Sequence, residues 1–510
     1  MPFNSIFSWF IKKRIHQIEL FRKYPVEVQN EWMEKLISAA KNTEFGKKFG
    51  FERLHTYESF SNTVPLQDYQ DIEPFVERLI QGEQNLLWPT ETRWFAKSSG
   101  TSEQRSKLIP VTKESLEECH YKGGKDLLSL YYHHLPNRKL YNGKHLIVGG
   151  SAQINQLSAD SYFGDLSAII VKNLPWWAEI RRTPSKETAL LSEWEEKIER
   201  MARETIEEDV YILAGVPSWT SVLAKRVLEI SGKSNLKEVW PNLELFMHGG
   251  VSFEPYRSYF QGLIPDPDMH YVETYNASEG FFGIQDQLGS NELLLMLDYG
   301  IFYEFIPMEH FAGTNSRKVI NLAQVEAGVN YALVISTNGG LWRYIIGDTI
   351  AFTSTRPYRF RITGRTKSYI NVFGEELIVD NAEKAMGHAC SKTGAVIKDY
   401  TVAPKFMNSI ETGAHEWFLE FSNPPDDLNR FRTILDERLR ELNSDYDAKR
   451  YQNLVLEAPV LNILNPGSFD SWLKSQGKLG GQNKIVRLFN DRSYVEQFLR
   501  YLMSKEINVE

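Results

Sequence analysis

The sequence predicts an α/β fold: a large N-terminal part with a parallel-rich sheet and a β-rich subdomain, then a small α+β C-terminal part. Three observations predict it. Short apolar runs stop at glycines and alternate with helical segments, the pattern of parallel strands joined by crossover helices. From about residue 291 to 353, strand-like runs follow one another with short connections. Beyond about 370, helical and strand patterns mix again over roughly 140 residues, a common domain size.

Each element has its own reason. Residues 4–49 read as helices with charged faces, ending near Gly46 and Gly50. The apolar start (Ile6, Phe7, Trp9, Phe10, Ile11) is followed by basic residues, not preceded by them, which is not a secretory signal. A helix docked on the body is expected there, with a membrane-surface helix as the alternative. Arg93 to Ala96 and Leu108 to Val111 are strand-like and flank a polar loop. Thr112 suits an N-cap for a helix over 113–133, and Glu114, Glu117 and Glu118 suit its first turn. Lys144 to Gly150 reads as a buried strand, 187–208 as a charged helix with a solvated face, and Tyr211 to Pro217 as a second strand before a helix from Trp219 to Ile230. Leu293–Leu297, Ile301–Ile306 and Tyr331–Ser336 are the β-rich strands. Helices are expected over Asn381–Thr393 and Asp427–Asn443, and strands over Trp417–Phe421 and Gln452–Leu456. The division is set at 1–367 and 368–510.

Composition narrows the classes. The 510 residues include 12 Trp and 24 Tyr, which argues against disorder. A net charge of -8 gives no global attraction to nucleic acid or anionic membrane. Cys119 and Cys390 are far apart and lack metal-ligand spacing; such sparse usage fits a reducing, cytoplasmic setting. No run of 18 apolar residues is present, so no spanning helix is expected.

Ligands of parallel sheets sit beyond the carboxyl ends of the strands, so strand exits rich in small polar residues carry the chemistry. Ser98, Ser99, Gly100, Thr101 and Ser102 open a loop that closes on Lys107. Hydroxyls donate to phosphate oxygens, glycine permits close backbone approach, and lysine adds charge. Leu108 follows Lys107 where a P-loop would have Ser or Thr and a helix. A second segment, Tyr275-Asn276-Ala277-Ser278-Glu279-Gly280, offers a carboxylate for Mg²⁺ and an aromatic ring for a base. A third ends in Gly347-Asp348, where an acidic acceptor can hold vicinal hydroxyls. A fourth, Gly477 to Arg487, is glycine-rich and carries Lys484, a cation suited to delivery when a small domain closes. Aromatic candidates for an acyl wall are Trp176, Trp177 and Trp219, although core packing is their commoner role.

Together these segments resemble the adenylate-forming enzymes, and more closely the Gretchen Hagen 3 family of acyl acid–amido synthetases, from about residue 40 to about 490. Ser98 to Lys107 resembles that family's first nucleotide motif, Tyr275 to Gly283 its second, and Trp342 to Asp348 its third. Gln482 to Arg487 resembles its C-terminal Gln-Tyr-Lys-x-Pro-Arg segment. Gln104 stands where the first motif often has glycine, and Asn483 and Val486 stand where the last has Tyr and Pro. Gly364 to Lys367 is similar to the segment before the superfamily's hinge, and His248 to Val251 to its Gly-Gly segment beside adenine.

The resemblance implies ATP and Mg²⁺ as cofactors, with a small carboxylic acid and an amino acid as substrates. The acid attacks the α-phosphate of ATP to give an acyl-adenylate, and an amine then expels AMP. It assigns Ser98, Ser99, Gly100, Thr101, Ser102 and Lys107 to the phosphates. Gly249, Gly250, Tyr275, Asn276, Ala277, Ser278, Asp348 and Arg365 go to the rest of the nucleotide, with Asp348 on the ribose. Glu279 holds Mg²⁺, and Lys484 neutralises charge at the α-phosphate from a mobile C-terminal lid. An acyl-CoA ligase shares the first half-reaction and is kept as an alternative, as is a nucleotide- or acyl-binding protein without catalysis.

Overall fold

The computed structural model describes the chain apart from residues 1, 99–106, 150–153, 192, 251–252, 254–255, 312–317, 367–368, 371–374, 376, 406–412, 444–445, 448–449, 451–455, 478–483, 490–491 and 506–510, and the side chains of 2–12, 177, 194, 218 and 369. Ser99, Gly100, Thr101 and Ser102 lie outside the described residues, as do the division at 367/368 and most of the strand expected over Gln452–Leu456.

A twelve-stranded sheet organises the N-terminal part. Five neighbouring strands are parallel: Arg182–Thr183, Lys144–Val148, Val210–Gly215, Leu245–Gly249 and His270–Ala277. Both faces of this half are covered, which is why the central strand Val210–Gly215 reads as an unbroken apolar run. Side chains alternate between the faces. Ile212, Leu245 and Val272 join the largest core, with Leu127 and Leu130 of the helix Tyr121–His134. Leu213 and Phe246 join another, with Met201 of Trp194–Thr205 and Val227 of Pro217–Ser231.

The β-rich stretch is present, and it continues the same sheet. Gly280–Ile284 pairs antiparallel with His270–Ala277, and Leu293–Leu295, Tyr358–Arg365, Tyr344–Thr355, Asn330–Thr337, Ile301–Pro307 and Ile320–Asn321 follow in turn. A smaller four-stranded sheet holds Trp94–Ser98 against Lys107–Val111, with Ser98 opposite Lys107, the expected strand–loop–strand arrangement. Thr112 caps the next helical segment as expected, its Oγ1 accepting the Ser115 N–H at 3.0 Å. The charged stretch 187–208 differs from expectation in being two helices, Lys186–Ala189 and Trp194–Thr205.

The N-terminal helix Pro2–Lys23 docks on the body. Ile18 and Phe21 are buried, and Arg14 bonds Asp126 and Asp298, each at 2.6 Å. At the other end, a three-stranded sheet (Val396–Lys405, Ala414–Asn423, Val460–Leu464) carries helices on its faces. Val379–Thr393 and Leu428–Leu442 pack Met386 and Phe431 against Trp417 and Leu419. Ser468–Ser475 and Ser493–Ser504 bring Trp472 and Phe498 onto Phe418. No described helix is long and apolar enough to cross a membrane.

Candidate active site

The carboxyl ends of the parallel strands open into one cavity of about 2540 Å³ that also reaches the C-terminal part. Gly249, Gly250, Tyr275, Asn276, Ala277 and Ser278 line it at those ends. Ser98, Glu279, Asp348, Arg365 and Lys484 line it as well. Four segments that are distant in sequence therefore meet, as the motif reading required. Glycine at 249 is imposed by a close approach: a Cβ there would stand 2.4 Å from the Thr274 carbonyl oxygen of the next strand.

Asp348 sits where two strands fix it. It is the register partner of Arg365, and its Oδ1 accepts from Arg365 Nε at 2.9 Å. Its Oδ2 accepts the Tyr275 hydroxyl at 2.5 Å. Each carboxylate oxygen keeps a second lone pair, so Asp348 is oriented and still able to receive hydroxyls. The preceding Gly347 has φ +94°, a conformation that favours glycine. Tyr275 departs from the expected stacking role. Its ring is 6% exposed and packs edge-on against Phe282 at 4.8 Å, so its hydroxyl holds Asp348 and little of its face is open to a base.

Glu279 lies in the turn after His270–Ala277, and Ser98 Oγ donates to its Oε1 at 3.4 Å. Ser278 Oγ donates to the Lys97 carbonyl at 3.4 Å, a second stitch between the first and second motifs. Burial, and then the nearby charge of Asp348, raise the Glu279 carboxyl above its usual range. A cation beside it would relieve both effects. Among the described residues no group of three or more His, Cys, Asp or Glu could hold a metal. Glu279 thus fits the one-carboxylate mode in which Mg²⁺ shares its shell with phosphates and water.

Lys107 departs from expectation too. It does not line the cavity; its ammonium stands 5.7 Å from the Tyr69 ring centroid, and its charge acts on Glu279 from there.

Lys484 arrives from the C-terminal part. Its Nζ stands 3.3 Å from where a Cβ on Gly250 would be. It opens to the cleft but is enclosed by protein, and that enclosure, with the charge of Arg365, pushes its pKa down to about 8. The segment behind it is pinned to the sheet edge. Thr401 Oγ1 donates to the Val486 carbonyl at 2.7 Å, and Val402 N–H donates to the Arg487 carbonyl at 2.8 Å. Arg487 pairs with Asp399 and Glu383 and lies over the Tyr400 ring at 4.3 Å. Across the cleft, the Tyr256 hydroxyl donates to the Lys398 carbonyl at 3.1 Å.

Of the aromatic candidates, Trp219 lines the cavity. Trp176 is 75% exposed and does not, and the side chain of Trp177 is outside the described residues. Sequence reasoning missed His120, a buried cavity-lining residue whose Nδ1 lies 2.9 Å from Asn276 Oδ1. The available signal was the pair Gly123-Gly124 inside a helix, a costly placement. A Cβ on Gly123 would stand 2.6 Å from Phe281, whereas one on Gly124 would meet nothing within 4 Å.

Three family models match in order: the GH3 family N-terminal domain over residues 14–269, its central domain over 294–365 and its C-terminal domain over 380–493. Among curated proteins, the indole-3-acetic acid-amido synthetase GH3.3 of Arabidopsis thaliana is 22% identical, over 90% of this chain and 89% of its own. The 4-substituted benzoates-glutamate ligase GH3.12 of the same plant is 22% identical, over 90% and 92%. Among solved structures, GH3.15 acyl acid amido synthetase superposes with a TM-score of 0.75 at 19% identity, over 95% of this chain and 94% of that one. 2-Hydroxyisobutyryl-CoA ligase in its postadenylation state has the same fold at a TM-score of 0.58 and 13% identity, over 93% and 91%. With the N-terminal model alone spanning half of the sequence, and the central and C-terminal models following it, the chain belongs to the GH3 family.

Proposed function

We propose that the chain is an ATP-dependent acyl acid–amido synthetase. One observation carries this reading: Glu279, the oriented Asp348 and the Lys484 ammonium meet in a single cavity. The amido-synthetase and ligase names of the relatives support it. In the first half-reaction a carboxylate oxygen bonds to the α-phosphorus of ATP, the bond to the β-phosphate oxygen breaks, and pyrophosphate leaves. In the second, an amino acid nitrogen bonds to the acyl carbon, the carbon–oxygen bond to AMP breaks, and the amine's proton passes to solvent. Such chemistry depends on positioning and charge stabilisation.

Ser98, with Ser99, Gly100, Thr101 and Ser102 of its loop, holds phosphate oxygens in this reading. Lys107 adds positive charge toward Glu279. Asp348 receives the ribose hydroxyls, oriented by Arg365 and Tyr275. Gly249 and Gly250 lie beside the base, and Asn276, Ala277 and Ser278 form the wall below the α-phosphate. Glu279 holds Mg²⁺, which when bound offsets phosphate charge. Lys484 stabilises charge at the α-phosphate. Residues 1–367 form the binding body and 368–510 the lid that brings Lys484 in and withdraws it. A cytoplasmic site of action fits two free, buried cysteines.

The test is acid-dependent release of pyrophosphate from ATP and Mg²⁺ across aryl and alkyl acids, with amino acids or CoA supplied in parallel. An amide identified by mass spectrometry establishes the reading. A thioester moves the protein to the acyl-CoA ligases, and ATP binding without turnover of any acid moves it to the non-catalytic binders.

A further inference from the structure

The C-terminal part meets one short stretch of the body at two points. The first is Gly250, beside which the Lys484 ammonium stands. The second is Tyr256, just before the helix Arg257–Leu263. Its ring belongs to the body: it is buried in the core that holds Phe253, Phe260 and Leu213, and its N–H donates to the Phe253 carbonyl at 2.9 Å. Its hydroxyl reaches the other part. It donates to the Lys398 carbonyl at 3.1 Å, and the charges of Asp399, Arg487 and Glu383 act on it there.

A bulge frees that carbonyl to accept. Along Val396–Lys405, Ile397 lies opposite Phe421 and Asp399 lies opposite Glu420, so Lys398 has no partner in the ladder. An extra residue of this kind bends its strand and stays unpaired. The Lys398 ammonium is tied to Glu420 at 2.7 Å and to Asp470 at 2.6 Å, which holds the bulged residue in place. The next acceptors along the strand serve the segment that bears Lys484. The Tyr400 carbonyl accepts Arg487 Nη1 at 2.8 Å, and the Val402 carbonyl accepts the Phe489 N–H at 3.0 Å. One strand thus takes Tyr256 from the body and carries the segment that delivers the cation. The ion pair of Lys474 with Glu195, at 3.4 Å, also joins the two parts, but both its ends are exposed, so it adds little.

We propose that Tyr256 is a positioning residue for adenylation: its hydroxyl catches the C-terminal part where Lys484 stands at the cleft, and releases it for amide formation. The inference rests on the synthetase reading for its two half-reactions, but not for the lid position that the hydroxyl holds. The catch is weak enough to be reversible. A neutral hydrogen bond that returns to water on opening is worth about two- to tenfold in an equilibrium, which favours one lid position without trapping it.

The experiment uses the full chain and Tyr256→Phe, which removes the hydroxyl and keeps the ring in its core, so the melting temperature should hold. The half-reactions are measured separately, with an acid that supports turnover. Pyrophosphate release should fall about two- to tenfold. Amide formation from the acyl-adenylate, supplied ready-made with the amino acid, should not fall. Lid position is read from nitroxide labels on Glu195→Cys and Lys474→Cys, since Cys119 and Cys390 are buried. Dipolar broadening between the labels should be present with the hydroxyl in place and reduced by Tyr256→Phe. Equal losses in both half-reactions, or unchanged release with unchanged broadening, overturn the inference while the synthetase reading stands. Absence of turnover with every acid overturns the synthetase reading, and the broadening then decides the catch by itself.

Discussion

Two carboxylate–arginine pairs lie in the same twelve-stranded sheet and serve opposite ends. Glu304 and Arg343 are sealed in the antiparallel half, with side chains 0% and 5% exposed. Arg343 turns all three guanidinium nitrogens inward, Nε and Nη2 to Glu304 and Nη1 to the carbonyls of Ser61 and Val64. Five residues later in the chain, Asp348 pairs with Arg365 at the cavity wall and keeps acceptor capacity open. A fully satisfied pair specifies packing; a pair satisfied on one side presents chemistry. Residue type does not separate the two cases, whereas what lies on the far side of the carboxylate does.

The sharpest way to break this comparison is Glu304→Ala. It strands a buried guanidinium, so thermal or denaturant unfolding should show a loss of about 3–5 kcal/mol, with the folded fraction still adenylating. Lost adenylation at unchanged stability would mean that the core pair belongs to the site. Next in size is Lys484→Ala, for which pyrophosphate release should drop by about 10²- to 10³-fold with the melting temperature held. Tyr275→Phe removes one bond to a charged acceptor, worth about 1.5 kcal/mol. It should raise the KM for ATP roughly tenfold, with a smaller change in kcat. The mildest effect is on pH. In the proposed reading Lys484 is the cation, and its enclosure pushes its pKa down to about 8, so adenylation should be flat below neutrality and fall as pH rises through 8. Lys484→Arg should move that limb upward, since a guanidinium stays charged.

Much of this arrangement is legible in sequence because it is local. Apolar runs stopped by glycine at 149 and 215 announce strands that end at the cavity, and Thr112 announces the helix it caps. Two of the motif segments pair a strand exit with small polar residues, whereas Gly347-Asp348, expected at a strand end, lies inside Tyr344–Thr355, and the Lys484 segment follows the helix Ser468–Ser475. What stays hidden is whatever depends on neighbours far along the chain. That Leu293–Leu295 bridges Gly280–Ile284 and Tyr358–Arg365, merging the β-rich stretch into the main sheet, is a pairing no run of residues encodes. The same holds for side-chain direction. Tyr275 turns its ring into Phe282, and Lys107 lies over Tyr69, because partners from other strands and helices claim them. His120 was hidden for a third reason: its partner Asn276 lies 156 residues away.

The continuity of the long sheet has a consequence for how the molecule opens. Asp348 is laddered into strands that carry the main core, so its amide neighbours should exchange hydrogen only when the whole N-terminal part unfolds. Lys484 hangs from a three-stranded sheet with a core of its own, so hydrogen exchange there should follow a separate opening if the two parts are distinct cooperative units. In the proposed reading the floor under the nucleotide is tied to the main core and the cation above it to a smaller one.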